Sequence, residues 1–443
     1  MKKKQPAKRR VQNFLAKQTR SGAKGWSYSD APDLRQQGKV EHAMAALLWA
    51  SELGLTSNQP TPRDVEEMTH HLGPWARALV PESISDTTLH AELQRLDTGY
   101  LLQTLVQRVR GFHRSKMLQP EGVPFGVATV DGKNLATLHH DAESTGHGRS
   151  KQNEKWHLNK KQEEKRGRDY FLMPALRAVL SSAEAKPCIY QMPLPPGRGE
   201  ATVFPEMLSQ LQSAYGHGEM FRVIDGDAGL TSLTNANLIV AANLHYILGL
   251  KGNQPELHNE AQALLLPLTK TRQPEVETPW QSRNGKRLRR RLWRTGEMAG
   301  MENSVGKWNH LRQSWLVRQE TRDSRGHIEV EDRFFVTSLE RDELTPVQIL
   351  RVVRNHWAVE NDCFNSLDLQ WNEDAAPWCS QGTAIWTLGV LRLLAYNTAQ
   401  MLRRRRLRKR RPDGTRMPPL SWRALFKSIE KSLELDALAP STA

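Results

Sequence analysis

Three acidic residues in separate local contexts have the chemistry to act together: Asp131, which ends the run Pro124–Val130, Asp227, which follows the run Met220–Gly226, and Glu360, inside the amphipathic stretch Pro346–Leu369. The two aspartates stand where an apolar run meets a turn signal. In a sheet covered on both faces, strand ends form the crevice where ligands and metals bind. Hard divalent ions such as Mg²⁺ demand oxygen ligands. Three converging carboxylates would therefore suit two-metal phosphoryl transfer. Taken singly, an Asp at such a place is equally a turn former or a helix cap.

The elements that must position these acids are carried by a chain of 443 residues, long enough for two or three domains. Lys and Arg number 63 against 48 Asp and Glu, a net charge of +15. That excess favours a polyanionic partner, nucleic acid first, because each neutralised phosphate releases counterions. A membrane is not expected: the most apolar stretch, Leu238–Leu250, is shorter than the ~20 residues needed to span a bilayer and holds Asn243 and His245. The basic start, Met1–Arg10, leads into no hydrophobic segment, so a cytoplasmic chain is expected. Cys188, Cys363 and Cys379 have no paired spacing, which argues against a disulfide framework or a zinc module.

Residues 1–35 are polar and basic and predict a disordered arm. Residues 36–120 predict a helical domain, with Val40, Met44, Leu47, Leu48 and Leu53 on one face and an N-cap region at Ser85–Thr88; DNA binding and plain packing are both open for it. Residues 121–251 turn to strands: Phe125–Val130, a turn at Asp131–Lys133, and a second strand at Asn134–His139. A polar loop from His139 through Lys165 follows. His139, His140, Asp141 and Glu143 cannot all converge on a metal, since neighbours on a strand face opposite ways. Strands at Cys188–Met192, Met220–Ile224 and Tyr246–Leu250 then alternate with helices at Ala201–Tyr215 and Ser232–Asn243, which predicts an α/β sheet with covered faces. This is the order expected of an RNase-H-like core. Residues 252–345 break the alternation and predict a β-rich insertion, in which Arg287, Arg289 and Arg290 are candidate DNA contacts. The interleaved Trp280, Trp293, Trp308 and Trp315 suit a core at least as well. Residues 346–402 supply the final core helices. Residues 403–443 form a basic C-terminal tail whose cluster, including Arg403, Arg404 and Arg405, is a phosphate-binding candidate or a solvated end.

Short blocks now fall into an order. Val130–Lys133, Ile224–Ala228, Leu248–Gln254, Arg333–Leu339, Arg354–Asn361 and Leu367–Asp374 together resemble bacterial insertion-sequence transposases of the DDE type, in the branch that includes the H-repeat-associated proteins. The resemblance spans about residues 85–375. It implies an RNase-H-like catalytic core with a strand-rich insertion, preceded by a helical N-terminal domain. It also implies Mg²⁺-dependent cleavage and strand transfer of DNA, with Mn²⁺ as a substitute. Carried over by position, Asp131, Asp227 and Glu360 are the catalytic and metal-holding acids, and Asp227 is preferred to Asp225 by its distance to the block Leu248–Gln254. Several positions depart from the relatives: Asn134–His139 lacks their Arg and Ser, His356 stands where many have Arg, and Leu367 and Asp368 stand where some have Lys.

The partners implied are double-stranded element ends and target DNA, with a homodimer suited to pairing two ends. Lys133, Lys251, Asn253 and His356 are further candidate DNA contacts, Trp357 a packing residue, and Asn361 a candidate to orient Glu360 from behind. Glu200 is left outside the metal set. Competing readings are a nuclease or resolvase on the same core, and a domesticated or decayed copy that only binds DNA. No phosphate-binding loop or dinucleotide fingerprint implies a nucleotide cofactor.

Overall fold

The structure is a computed structural model that describes residues 6–20, 25–36, 38, 40–139, 157–158, 170–195, 197–216, 219–283, 285–298, 308, 310–374, 378, 382–409 and 411–435. Its centre is one mixed sheet built from β1 (Val127–His139), β2 (His157–Leu158), β3 (Tyr170–Leu180), β4 (Cys188–Pro193), β5 (Val223–Gly226), β6 (His245–Leu250), β7 (Val276–Glu277), β8 (Gln281–Arg283), β9 (Lys286–Thr295), β10 (Gln313–Arg322) and β11 (Ile328–Thr337). The order is β2-β3-β1-β5-β6-β11-β10-β9-β7, with β4 paired to β3 and β8 to β9.

β3 pairs antiparallel with both β4 and β1, while β1, β5 and β6 run parallel. That is an RNase-H-like core. β5 and β6 are buried on both faces, as parallel strands usually are. The strand-rich insertion does not stand apart. β11 pairs antiparallel with β6, Leu250 opposite Phe334, so the insertion prolongs the core sheet.

Alternation along the strands decides which side chains meet. Val127, Val223 and Ile247 share one cluster with Ile349, Val352 and Val353 of the helix Pro346–Ala358. Ala128, Val130, Ile224 and Leu248 join the larger core on the opposite side. Period two then puts Thr129, Asp131, Asp225 and Asp227 on the face that this helix covers. The helix begins where the sequence predicts, with Pro346 in its first turn and a capping box between Thr345 and Gln348.

Three expectations are corrected. The stretch Asp131–Lys133 is not a turn: β1 runs through it, pairing Asp131 with Arg177, Gly132 with Leu176 and Lys133 with Ala175. Within residues 1–35, Ala7–Arg20 is an α-helix whose Val11, Phe14 and Leu15 are buried. Within residues 403–443, Trp422–Leu433 is an amphipathic helix that packs on Ala7–Arg20 and on Met44–Ser57. Each end thus supplies the apolar surface that the other lacks. Glu184 fastens the same region, because its nearly buried carboxylate receives Arg405, Arg408 and Arg416. The N-terminal helices Met44–Ser57 and Thr98–Arg114 also pack directly on Gly382–Gln400 of the core.

His140–Lys165 lies outside the described residues apart from β2, as does Cys379. Cys188 and Cys363 are buried free thiols. Among the described residues, no helix is long and apolar enough to cross a membrane.

Candidate active site

β5 pairs with β1 only from Val127 to Val130, so Asp131 is the first residue of β1 beyond the end of that neighbour. Asp227 is the first residue past β5. Both are half-buried at this step in the sheet. Each commits one oxygen to its own backbone: Gly132 N–H donates to Asp131 Oδ1 at 2.8 Å, and Leu230 N–H to Asp227 Oδ1 at 3.2 Å. Burial pushes the Asp131 carboxyl up to about 6; the positive charge of His356 opposes this, and the negative charges of Asp227 and Glu360 add to it. Asp131 therefore feels both of the other acids predicted from sequence across the strand-end crevice.

Glu360 is exposed rather than tucked beside the core face of its helix. The helix Pro346–Ala358 widens into a π-helical segment, Val359–Phe364, before resuming as Asn365–Trp371, and Asn365 N–H reaches Glu360 O. One residue more per turn breaks the phase of the apolar stripe and turns Glu360 outward. Asn361 does not orient Glu360: its Nδ2 donates to Trp357 O at 2.7 Å and so holds the wide turn.

Asp225, the rival second acid, has another job. It lies two residues deeper than Asp227, 1% exposed, where Thr129 Oγ1 donates to its Oδ2 at 2.7 Å and His356 Nδ1 stands 3.0 Å from the same oxygen. Burial tends to strip His356 of its proton, but Asp225, Asp131 and Asp227 outweigh it and raise the imidazole to about 9. His356 is thus a buried cation beneath the acids, where sequence suggested a DNA contact.

Sequence reasoning left out Glu200, and the structure brings it in. It is the first residue of the helix Glu200–Tyr215, and Oε1 fills the space that a β-carbon on Gly132 would occupy. Oε2 lies 3.5 Å from the corresponding position on Gly229, which in turn is 3.1 Å from Asp227 Oδ1. Burial, then the charges of Asp227 and Asp131, lift Glu200 to about 7. The signal in the sequence was the glycine directly after Asp131, Gly132, which clears room for this side chain.

The remaining candidates are spread out. Lys133 Nζ bonds both oxygens of Asp368, at 2.5 and 2.6 Å. Asn253 Nδ2 donates to Ala228 O at 2.5 Å and so steadies the loop after Asp227, while Lys251 is exposed at the end of β6. On β9, Arg287 and Arg289 stack on Trp280, and Arg289 also pairs with Glu277 and Glu320; Arg290 is half-buried. Trp293, Trp308 and Trp315 are core residues. Arg403 stacks on Trp422, and burial with the charge of Arg404 lowers it to about 10; Arg405 serves Glu184.

Among the described residues, no three His, Cys, Asp or Glu side chains already stand in a closed metal-holding set. The donor chemistry nevertheless fits a hard cation. Asp131, Asp227, Glu200 and Glu360 are all oxygen donors, and their mutual repulsion is what a divalent ion would relieve.

No curated protein matches the sequence. Among solved structures, the chain is similar to the piggyBac transposase in its synaptic complex with hairpin DNA, at 11% identity over 96% of this chain and 77% of that one, with a TM-score of 0.40. A family model of the transposase DDE domain, a family that uses divalent metal ions, matches residues 124–398 and takes in Asp131, Asp227 and Glu360; with more than half of its length matched, this chain belongs to the DDE transposases.

Proposed function

We propose that this transposase cuts and joins DNA at the crevice between β1 and β5, using Mg²⁺ held by Asp131, Asp227 and Glu360. The observation that carries the assignment is the half-buried Asp131, raised to about 6 in the company of Asp227 and Glu360. Crowded carboxylates that burial penalises are stabilised by a divalent cation. When bound, a pair of such ions supplies an activated water and stabilises the leaving oxygen of a phosphodiester.

The protein's own groups set the stage for this. Asp131 lies on β1 and Asp227 on the loop after β5, both anchored by backbone N–H groups, so their placement is fixed by the sheet. Glu360, exposed on its wide helical turn, is the acid nearest solvent and the one able to adjust as ions and DNA arrive. The His356 imidazolium, tied to Asp225, offsets part of the acidic charge from below. Water attack frees a 3′-hydroxyl, which then attacks the target strand in the same site. The substrate is duplex DNA, the element's own ends and a target, and pairing two ends calls for two copies of the chain.

The domain reading that accompanies this proposal keeps residues 121–251 and 346–402 as the catalytic core and 252–345 as its insertion. The test is nicking of a duplex carrying the element's end, with Mg²⁺, by the full chain and by Asp131→Asn, Asp227→Asn and Glu360→Gln. Loss of nicking with retained DNA binding supports each assignment; nicking at the unaltered rate rejects it.

A further inference from the structure

The helix leading to Glu360 has a second face that the acids do not use. His356 is buried against Asp225, and with 100° per residue Arg354 and Ala358 point the opposite way. On that side lies a cavity of about 570 Å³, bounded by the turn Ser181–Lys186, by Val276–Gln281 and Arg290 of the insertion, and by Arg351, Arg354 and Asn355 of the helix. A neighbouring hollow of about 270 Å³ shares Gln281, Arg290, Arg354, Ala358 and Asp362 with it and continues to Asn361. Together they form one elongated groove.

Its charge is lopsided for a structural reason. Two of the carboxylates around it are already neutralised by arginines outside it: Glu184 by Arg405, Arg408 and Arg416, and Glu277 by Arg289 and Arg291. Glu121 borders it too, and Asp362 lies 3.8 Å from Lys186 Nζ. Against these stand Lys186, Arg290, Arg351 and Arg354. Burial draws Lys186 below the ordinary lysine value; Asp362 and Glu121 oppose this, and the nearby charges of Arg404 and Arg354 add to it. Lys186 is thus a largely buried cation that its two neighbouring carboxylates only partly compensate.

They are also held there. Lys186 has a left-handed backbone, φ 43°, rarely taken by a residue with a side chain. Its turn is pinned by Lys186 N–H to Ala183 O at 3.1 Å, by Leu180 N–H to Pro187 O at 3.0 Å, and by Tyr396 Oη to Lys186 O at 3.3 Å. A cation penalised by burial and held on a strained, fixed turn is stabilised when an anion joins it.

We propose that this groove binds the sugar-phosphate backbone of DNA, with Lys186 and Arg354 each taking a phosphate. The proposal rests on the DNA-processing reading above and adds to it a contact surface on the far side of the Glu360 helix. A long open groove suits a polymer backbone better than a small phosphate ester, which would be enclosed.

The test measures binding of the full chain to a short duplex of unrelated sequence, by fluorescence anisotropy over a series of salt concentrations. Arg354→Gln, on an exposed side chain, should flatten the log–log salt slope by about one and the pair Lys186→Gln with Arg354→Gln by about two, with affinity down about tenfold or more. Lys186→Arg should bind as the unaltered chain does, and so should Arg325→Gln in the exposed β10–β11 turn. An unchanged slope in the Gln variants would overturn the groove and leave the acids' role standing. Displacement of the duplex by millimolar inorganic phosphate at constant ionic strength would overturn it in favour of a small-anion site. The expected slope losses in a chain that never nicks with Mg²⁺ would uphold the groove and sink the catalytic reading instead.

Discussion

His356 Nδ1 lies 3.0 Å from Asp225 Oδ2, so a buried ion pair underlies the two half-buried aspartates, Asp131 and Asp227, that open onto the crevice. The pair separates two acids that are only two residues apart in sequence. Asp225 is the partner of a cation and of Thr129, and Asp227 is the acid left at the rim.

Stability should fall as pH rises. His356 titrates near 9 when folded and near 6.5 when unfolded, so its contribution is complete below about 6.5 and is lost as pH climbs through about 9. That contribution is on the order of 3 kcal/mol at most, from 1.4 kcal/mol per unit. Asp131 and Glu200, raised to about 6 and about 7, are acids that hold protons better folded than unfolded, and so also favour the low-pH side. Thermal melts without metal should show a midpoint that declines between about pH 5 and pH 9. His356→Gln should flatten the upper half of that decline, and a decline of the same size in that variant would exclude the pair as its source.

Gly132→Ala should damage the site through Glu200 rather than through backbone strain. The added β-carbon would displace Glu200 Oε1, the far end of a side chain that can turn aside, so the cost should lie at the low end of overpacking, about 1 kcal/mol. Shortening the partner with Glu200→Ala should restore most of the stability. Chemical denaturation of the two single variants and the double variant gives the coupling directly; strictly additive losses would mean that the two positions do not touch.

Much of this arrangement was legible. Short apolar runs bounded by turn residues marked β5 and β6, and Pro346 marked the start of the Glu360 helix. The run Asp131–Lys133 misled because Asp-Gly usually turns, whereas here the glycine serves to admit Glu200 while the strand continues. The π-helical turn at Glu360 leaves no mark in hydrophobic periodicity, since it depends on a backbone bond one residue longer than usual. The first helix was hidden for a different reason. Its Val11, Phe14 and Leu15 are few among basic residues, and what buries them lies at the other end of the chain, in Trp422–Leu433.

Asp225→Asn should part company with the rim acids. It leaves the His356 charge without its partner, so the main loss should be in folding, with a lower melting point near pH 7. Asp227→Asn should melt like the unaltered chain or higher, since it removes one of several crowded negative charges, while nicking drops at least about 100-fold. If instead Asp225→Asn folds normally and abolishes nicking while Asp227→Asn nicks, the two acids have exchanged roles.

Arg177 offers the last test, because it pairs with Asp131 across β3 and β1 and yet commits its guanidinium to other partners. Its guanidinium holds both oxygens of Glu373 at 2.7 Å and donates from Nε to Gln191 Oε1 at 2.8 Å, all without exposure. The pair ties β3 to the segment that follows the Glu360 helix. Removing one member of a buried pair strands the other charge and costs about 3–5 kcal/mol. Glu373→Gln should therefore lower the denaturation midpoint steeply, whereas Arg177→Met with Glu373→Leu, which leaves no charge unpaired, should recover much of the loss. Metal affinity separates the two roles of the pair. If it only holds the fold, the double variant should bind Mn²⁺ as the unaltered chain does, and if it also sets the spacing of the acids, Mn²⁺ binding by calorimetry should stay weakened after stability has returned.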